Sequence, residues 1–212
     1  MRISIAVLAL APGCVVFGTF QSARPIGDGA VQVAVEPAAT GTWAGVDGHE
    51  SVYPIGLSVR YGLDERTELG LRTGFAMPEL QLKRLLTDPG ADLALSVAPT
   101  LGGWVSDLHG IPVLTVGGQA PLLVGVPLGE HELVLEPKLV WAFGHGLQDP
   151  LDGFLLTAGS SAGCSFRITR GVRVMPEVTG LFPVLYLGSW PTRVGGGFAA
   201  QGGVAFLFGG GR

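Results

Sequence analysis

The stretch GIPVLTVGGQAPLLVGVPLG, residues 110–129, decides how the chain is read. It carries no charge over its whole length and is long enough, on count alone, for a membrane-spanning helix. Pro112, Pro121, Pro127 and the pair Gly117-Gly118 stand against that, because proline removes a helical donor and clashes with the preceding turn. The apolar residues alternate instead, as Leu114 and Val116, then Leu122, Val124 and Val126. Period two is the pattern of a strand with two unlike faces. Residues 194–211 are glycine-dense in the same way, with Val204, Phe206 and Phe208 at every second place.

Period-two reading of the rest predicts about ten strands, at 29–40, 51–62, 67–77, 79–87, 91–104, 111–126, 131–143, 154–166, 171–186 and 195–208. The faces are plain in several. Ile55, Leu57, Val59 and Tyr61 oppose Gly56, Ser58 and Arg60; Leu133, Leu135, Leu139, Trp141 and Phe143 oppose Glu132, Glu136, Lys138 and Ala142. The fourth strand is the least regular. Pro37, Pro99, Pro137 and Pro176 fall inside these spans, and proline cannot donate to a ladder. Where they mark strand ends, the count becomes eight or twelve.

Composition agrees with a β-rich chain and excludes other classes. Of 212 residues 35 are Gly and 15 Pro, and only 14% are charged. So apolar a chain is not disordered. Thirteen Lys and Arg against 17 Asp and Glu leave a net charge of −4 and no footprint for nucleic acid.

The connections fall into two groups. Short turns lie at Leu63–Arg66, Thr87–Gly90, Pro127–Glu130 and Arg167–Arg170; longer loops are expected at Gly41–Glu50, Gly102–Gly110, Gly144–Gly153 and Leu187–Val194. That arrangement describes an up-and-down meander closed into a barrel. One strand face is strongly apolar, while the other is mostly Gly, Ala, Ser and Thr with about one charge per strand. A soluble lipocalin-like ligand-binding barrel is the alternative, but it needs a charged exterior. The faces here suit lipid outside and a narrow interior inside, with every backbone group bonded within the closed ring. Aromatic residues support this: Trp43, Tyr53, Trp104, Trp141, Tyr186 and Trp190 map to the long-loop ends as one girdle, and Tyr61, Phe166, Phe206 and Phe208 to the other. The predicted fold is therefore an all-β, closed antiparallel transmembrane barrel.

The inward charges Glu36, Arg60, Arg72, Glu136, Lys138, Arg173 and Glu177 form the main polar constellation. Both signs are balanced, which predicts ion pairs plugging the lumen, with a small polar pore as the alternative. His49, His109 and His145 fall in long loops on one side, where with Asp47, Asp107 or Asp149 one could act as a base. No metal-ligand spacing is present, and no cofactor is expected. Cys164 has no partner to form a disulfide and reads as an inert thiol.

Met1-Arg2, the apolar run Ile3–Ala11 and Pro12-Gly13-Cys14 have the parts of an export signal. Leu10-Ala11-Pro12-Gly13-Cys14 resembles the lipobox of bacterial lipoproteins. That resemblance implies lipid attachment at Cys14 after removal of residues 1–13; an ordinary signal peptide cut before Arg24 is the alternative. Residues 14–28 then form a periplasmic lead-in, 29–208 the barrel and 209–212 a tail.

From Arg24 to Phe208 the chain resembles small bacterial outer-membrane β-barrels, uncharacterised and often lipid-anchored. Gln21-Ser22-Ala23-Arg24-Pro25-Ile26-Gly27-Asp28-Gly29 is similar to their lead-in, and Val204-Ala205-Phe206-Leu207-Phe208 to the closing strand by which such barrels are recognised for assembly. The resemblance implies membrane lipid and the outer-membrane assembly machinery as partners, and a bacterial outer-membrane location. A small solute or an envelope protein is a further candidate partner. The expected function is non-enzymatic, envelope-structural or narrow-passage, with a rim-sited hydrolase or acyltransferase as the alternative.

Overall fold

The computed structural model describes residues 18–43, 49–73, 78–108, 111–147, 152–188 and 198–210. Twelve strand segments form one antiparallel sheet: β1 (Val31–Trp43), β2 (His49–Val52), β3 (Ile55–Gly62), β4 (Thr67–Thr73), β5 (Pro78–Leu85), β6 (Ala94–Val97), β7 (Thr100–Leu108), β8 (Ile111–Leu128), β9 (His131–Gly146), β10 (Asp152–Thr169), β11 (Val172–Gly188) and β12 (Phe198–Gly209). Apart from the pairs β2–β3 and β6–β7, each segment pairs with its neighbour in sequence, and β12 returns to β1 from Gln32↔Gly209 to Trp43↔Phe198, closing the ring.

The segments make ten barrel strands, because two strands are broken at proline. β1 pairs with both β2 and β3, and Ala38 N–H bridges the break to the Pro54 carbonyl at 2.9 Å. β5 and β8 each pair with both β6 and β7 across Ala98-Pro99, where Leu82 N–H donates to the Pro99 carbonyl at 3.1 Å. The other prolines each interrupt the ladder on one side only. Pro37 pairs on the β3 side, while the β12 ladder skips from Val35↔Phe206 to Ala38↔Gly203. Pro137 pairs with Ser160 and Pro176 with Val204, with gaps towards β8 and β10 respectively. A strand residue directs its N–H to one neighbour, so the other ladder survives and the count stays at ten.

Alternation sets the faces. Along β3 the burial pattern is strict: Ile55, Leu57, Val59 and Tyr61 are exposed, while Gly56, Ser58, Arg60 and Gly62 are buried. The exposed side is the apolar one, with Val33, Leu69, Leu71, Leu80, Leu82, Leu135 and Leu139 on it, and the buried side holds the charges. Such inversion suits a barrel in lipid.

Two expectations change. Gly102–Gly110, expected as a loop, is mostly strand: β7 runs to Leu108 and pairs with β8 from Gly102↔Gly117 to Leu108↔Ile111. Gly144–Gly153 likewise gives its ends to β9 and β10, which pair as far as His145↔Asp152. Glycines there mark a continued ladder rather than its end. At the other rim three turns are as short as the sequence implies, with Gly129 in the left-handed region at φ +68°, while the β5–β6 connection runs over 86–93 rather than Thr87–Gly90.

Candidate functional site: the lumen

Inside the barrel, small residues face long ones. A Cβ at Gly56 would come within 2.9 Å of Glu36 Oε2, so the glycine leaves room for that carboxylate. Glu36, fully buried on β1, accepts from Ser58 Oγ at 2.8 Å and Arg60 Nη2 at 3.3 Å on one oxygen. Its other oxygen takes Arg72 Nε and Nη2, both at 2.7 Å. Lys83 pairs with Glu68 at 2.9 Å, and Arg60 lies 4.0 Å from the same carboxyl group. Across the lumen Lys138 pairs with Glu136 at 3.1 Å.

The expected charges therefore meet in two groups. Glu36, Arg60 and Arg72 form one; Glu136 and Lys138 form the other, with Glu177 beside Thr19. Arg173 stands apart and half-buried near the short-turn end, where its Nη1 donates to Ser165 Oγ at 3.4 Å. Sequence reading missed Glu68, Glu79 and Lys83 and left Glu132, though on the inward face, out of the constellation; all four are buried. A usable signal existed in the fourth strand, where Glu79, Gln81 and Lys83 alternate with Leu80 and Leu82.

A larger finding concerns the lead-in. Gly18–Ile26, expected ahead of the barrel, runs inside it. Phe20 and Ala23 are wholly buried and belong to a cluster with Ala34, Leu123, Met175 and Leu207. Apolar side chains within the narrow lumen account for that placement, and the wall holds the backbone. Ile26 N–H donates to Glu68 at 3.0 Å, and Ser96 Oγ to the Ala23 carbonyl at 2.6 Å. Lys83 Nζ reaches the carbonyls of Ser22 and Arg24, each at 3.3 Å. Arg60 Nη2 reaches those of Thr19 and Phe20, each at 3.2 Å. Thr19 and Phe20 N–H donate to the two oxygens of Glu177 at 3.0 and 2.8 Å, and Gly18 N–H to Gln201 Oε1 at 2.6 Å. The Arg72 guanidinium sits 6.0 Å from the Phe20 ring centre. A turn then leads into β1: Gly27 and Gly29 have φ +101° and +65°, and a Cβ at Gly62 would overlap the Gly27 carbonyl oxygen.

At the short-turn mouth a cavity of about 320 Å³ is lined by Arg24, His131, Glu132, Arg167, Arg170 and Arg173 among others. Arg24 Nη1 there donates to the Pro89 carbonyl at 2.7 Å. Beyond the lumen, Gly209 and Gly210 (φ +87° and +84°) bond to Gly171 and Val31 carbonyls, so the tail after Phe208 seals onto the turn and β1.

The girdle is only partly described. Tyr53 is exposed, and Trp141 and Phe143 lie outward near the loop end, with Trp141 half-buried. At the other rim Tyr61, Phe166, Phe206 and Phe208 are exposed. The side chains of Trp43 and Trp104, and all of Trp190, lie outside the described residues. Tyr186 differs from expectation. The register slips between Leu156↔Leu185 and Thr157↔Pro183, so Val184 is an extra residue that reverses the alternation. Tyr186 thus shares the lumenal face with Leu155 and Thr157.

His145, at the loop rim, is hydrogen-bonded through Nδ1 to Asp152 at 2.6 Å, and both are exposed. The His49 side chain, His109, Asp47, the Asp107 side chain and Asp149 lie outside the described residues, as does Cys14. Among the described residues no group of three metal-ligating side chains occurs. Cys164 is free and half-buried.

No protein-family model and no curated protein sequence matches the chain. Among solved structures it is similar to Neisserial surface protein A, with 11% identity, 85% of this chain and 99% of that one covered, and a TM-score of 0.41. It is also similar to Ail, the attachment invasion locus protein of Yersinia pestis (11% identity, 85% and 99% covered, TM-score 0.36). A third is the outer-membrane protease OmpT of Escherichia coli (10% identity, 85% and 94% covered, TM-score 0.38). At these identities the likeness concerns the fold alone. With its apolar face outward and its charges inward, the chain is a closed ten-stranded antiparallel β-barrel with the face arrangement of a membrane-spanning barrel.

Proposed function

We propose that the chain is a non-enzymatic barrel of the outer membrane with an envelope-structural role, closed at rest to solutes. The carrying observation is the filled lumen: buried Glu36–Arg60–Arg72, Glu68–Lys83 and Glu136–Lys138 pairs surround Gly18–Ile26. A ten-stranded barrel is little wider than one that side chains alone can fill. Membrane lipid is its partner on the outside, and β12, ending in outward Phe206 and Phe208, is the strand offered to the assembly machinery. Lipid on Cys14 would add a tether; palmitate labelling that persists in Cys14→Ser would remove that part of the reading. Planar-bilayer recording tests the whole. The purified chain should give no unitary currents, and steady openings of the unmodified protein would sink the closed-lumen reading.

The His145–Asp152 pair favours a second reading, a rim-sited hydrolase acting on lipid or peptide. A carboxylate on Nδ1 orients an imidazole as a base at Nε2. Loss of a lipid- or peptide-cleaving activity in His145→Gln, with the barrel still folded, would support it.

A further inference from the structure

We infer that the lumen is a binding channel for a polypeptide main chain, with Gly18–Ile26 as its tethered occupant. This rests on the closed-lumen reading and says what does the closing.

The wall reads backbone rather than side chains. Arg60 and Lys83 each bridge two carbonyls of the segment, and Ser96 donates to a fifth. Glu177 accepts two successive N–H groups, one on each oxygen, while Glu68 and Gln201 each take another. Against these stand two polar side-chain contacts, the Thr19 hydroxyl on Glu136 and the Arg24 guanidinium on carbonyls of the β5–β6 turn, and one apolar anchor, the buried Phe20 ring packed among Met175 and Leu207. The segment has no helix or strand of its own, so its buried polar groups must be satisfied from outside. Wall side chains make these bonds in place of a neighbouring strand, and main-chain bonds can supply the affinity of a peptide for its site.

Space is cleared for the same path. A Cβ at Gly125 would lie 2.6 Å from the Ala23 methyl, and one at Gly203 would lie 2.6 Å from Phe20 Cζ. The groove takes a backbone with small side chains where it passes Gly125.

Two features set the occupant apart from a permanent core. Gln21 is fully buried, yet neither its amide oxygen nor its nitrogen has a partner among the described residues. Phe20 has φ +45°, a region residues with a Cβ rarely adopt. Both weaken the hold of this particular sequence and leave the main-chain contacts untouched. The occupant is therefore exchangeable for another polypeptide segment that follows the same course.

The test uses the full chain in a Cys164→Ser background. The Cβ positions of residues 23 and 125 are close enough for a disulfide after a slight outward shift, once the flexible Glu132 carboxylate, which a Cβ at 125 meets first, swings aside. Ala23→Cys with Gly125→Cys should crosslink on mild oxidation in isolated outer membranes, and neither single variant should. Ala23→Trp is too large for the groove and displaces the segment. In detergent it should bind fluorescein-labelled Gly-Thr-Phe-Gln-Ser-Ala-Arg-Pro-Ile saturably, at least about tenfold more tightly than the disulfide-locked protein. A peptide of the same composition, reordered with Ala and Pro kept in place, should bind within about threefold.

Failure to crosslink overturns the inference, as does equal peptide binding by locked and displaced proteins. Binding of the native order alone overturns the main-chain reading. If Ala23→Trp does not fold, the crosslink still decides. Channel openings in the native chain alongside efficient crosslinking would sink the closed-lumen reading, whereas no crosslink in an electrically silent barrel sinks this inference.

Discussion

Replacing Glu36 by Gln puts the buried charge network under the most direct strain. The carboxylate is inaccessible to solvent and neutralises two guanidinium groups, Arg72 through two contacts of 2.7 Å and Arg60 through one of 3.3 Å. A charge-assisted bond contributes about 1.5–3 kcal/mol, and a neutral one roughly half of that. Glutamine keeps the shape and one carbonyl acceptor, but it turns an –NH₂ group towards donors. Arg60 retains Gln32 Oε1 at 3.0 Å and two backbone carbonyls, so most of the deficit falls on Arg72, which keeps the weaker attraction of Glu79 and Glu177. Breaking a buried pair costs about 3–5 kcal/mol, and the remaining contacts of Arg60 place this one near 3 kcal/mol. Equilibrium unfolding in urea from lipid vesicles, followed by tryptophan fluorescence, should show a lowered midpoint with an unchanged slope. The double variant Glu36→Gln with Arg72→Gln should recover a substantial part of the loss, because the stranded charge is gone. A loss below about 1 kcal/mol, or a double variant no better than the single, would refute the reasoning.

Other outcomes follow from the faces and turns. Leu139→Arg, near the middle of the outward face of β9, should destabilise the inserted barrel by about 2–4 kcal/mol, and Leu128→Arg at the rim by about 0–1 kcal/mol, measured by refolding into vesicles. Equal costs would mean the outward face does not lie in lipid. Gly62→Ala should sharply reduce the heat-modifiable, folded fraction on gels, since its Cβ would occupy the position of the Gly27 carbonyl oxygen. Trp141→Phe should lower quenching of tryptophan emission by brominated lipids, because the Trp141 indole lies outward near the loop rim; unchanged quenching would place that indole away from lipid.

Much of this architecture could be read from the chain because a barrel strand repeats every two residues. Ile55–Tyr61 and Leu133–Phe143 announce their faces, and lipid outside with charge inside follows from which face holds the polar residues. The strand number held because Pro37, Pro137 and Pro176 each interrupt one ladder only, and because the two halves of each strand broken at Pro54 or Pro99 stay paired to a common neighbour. Local pattern failed where the alternation itself changes: Val184 adds one residue to β11, and Tyr186 moves to the lumenal face. It failed again at Gly18–Ile26. A short irregular segment has no period, and the partners that hold it, from Glu68 to Gln201, are scattered along the sequence. Glu79 and Lys83 were within reach, since Leu80 and Leu82 separate them with the right spacing.

A segment lodged inside a closed ring must be in place before the ring shuts, or else be fed through one of its ends. Gly18–Ile26 touches β3, β4, β5, β6, β11 and β12, so it contacts both halves of the chain. The last join, Gln32 to Gly209, brings together residues from the two ends of the barrel and carries the largest loop-closure entropy. A strand of chain already held by early and late strands shortens that search. On this view the segment acts as a mandrel about which the sheet curls, and its loss should slow barrel closure more than it lowers the stability of the finished ring.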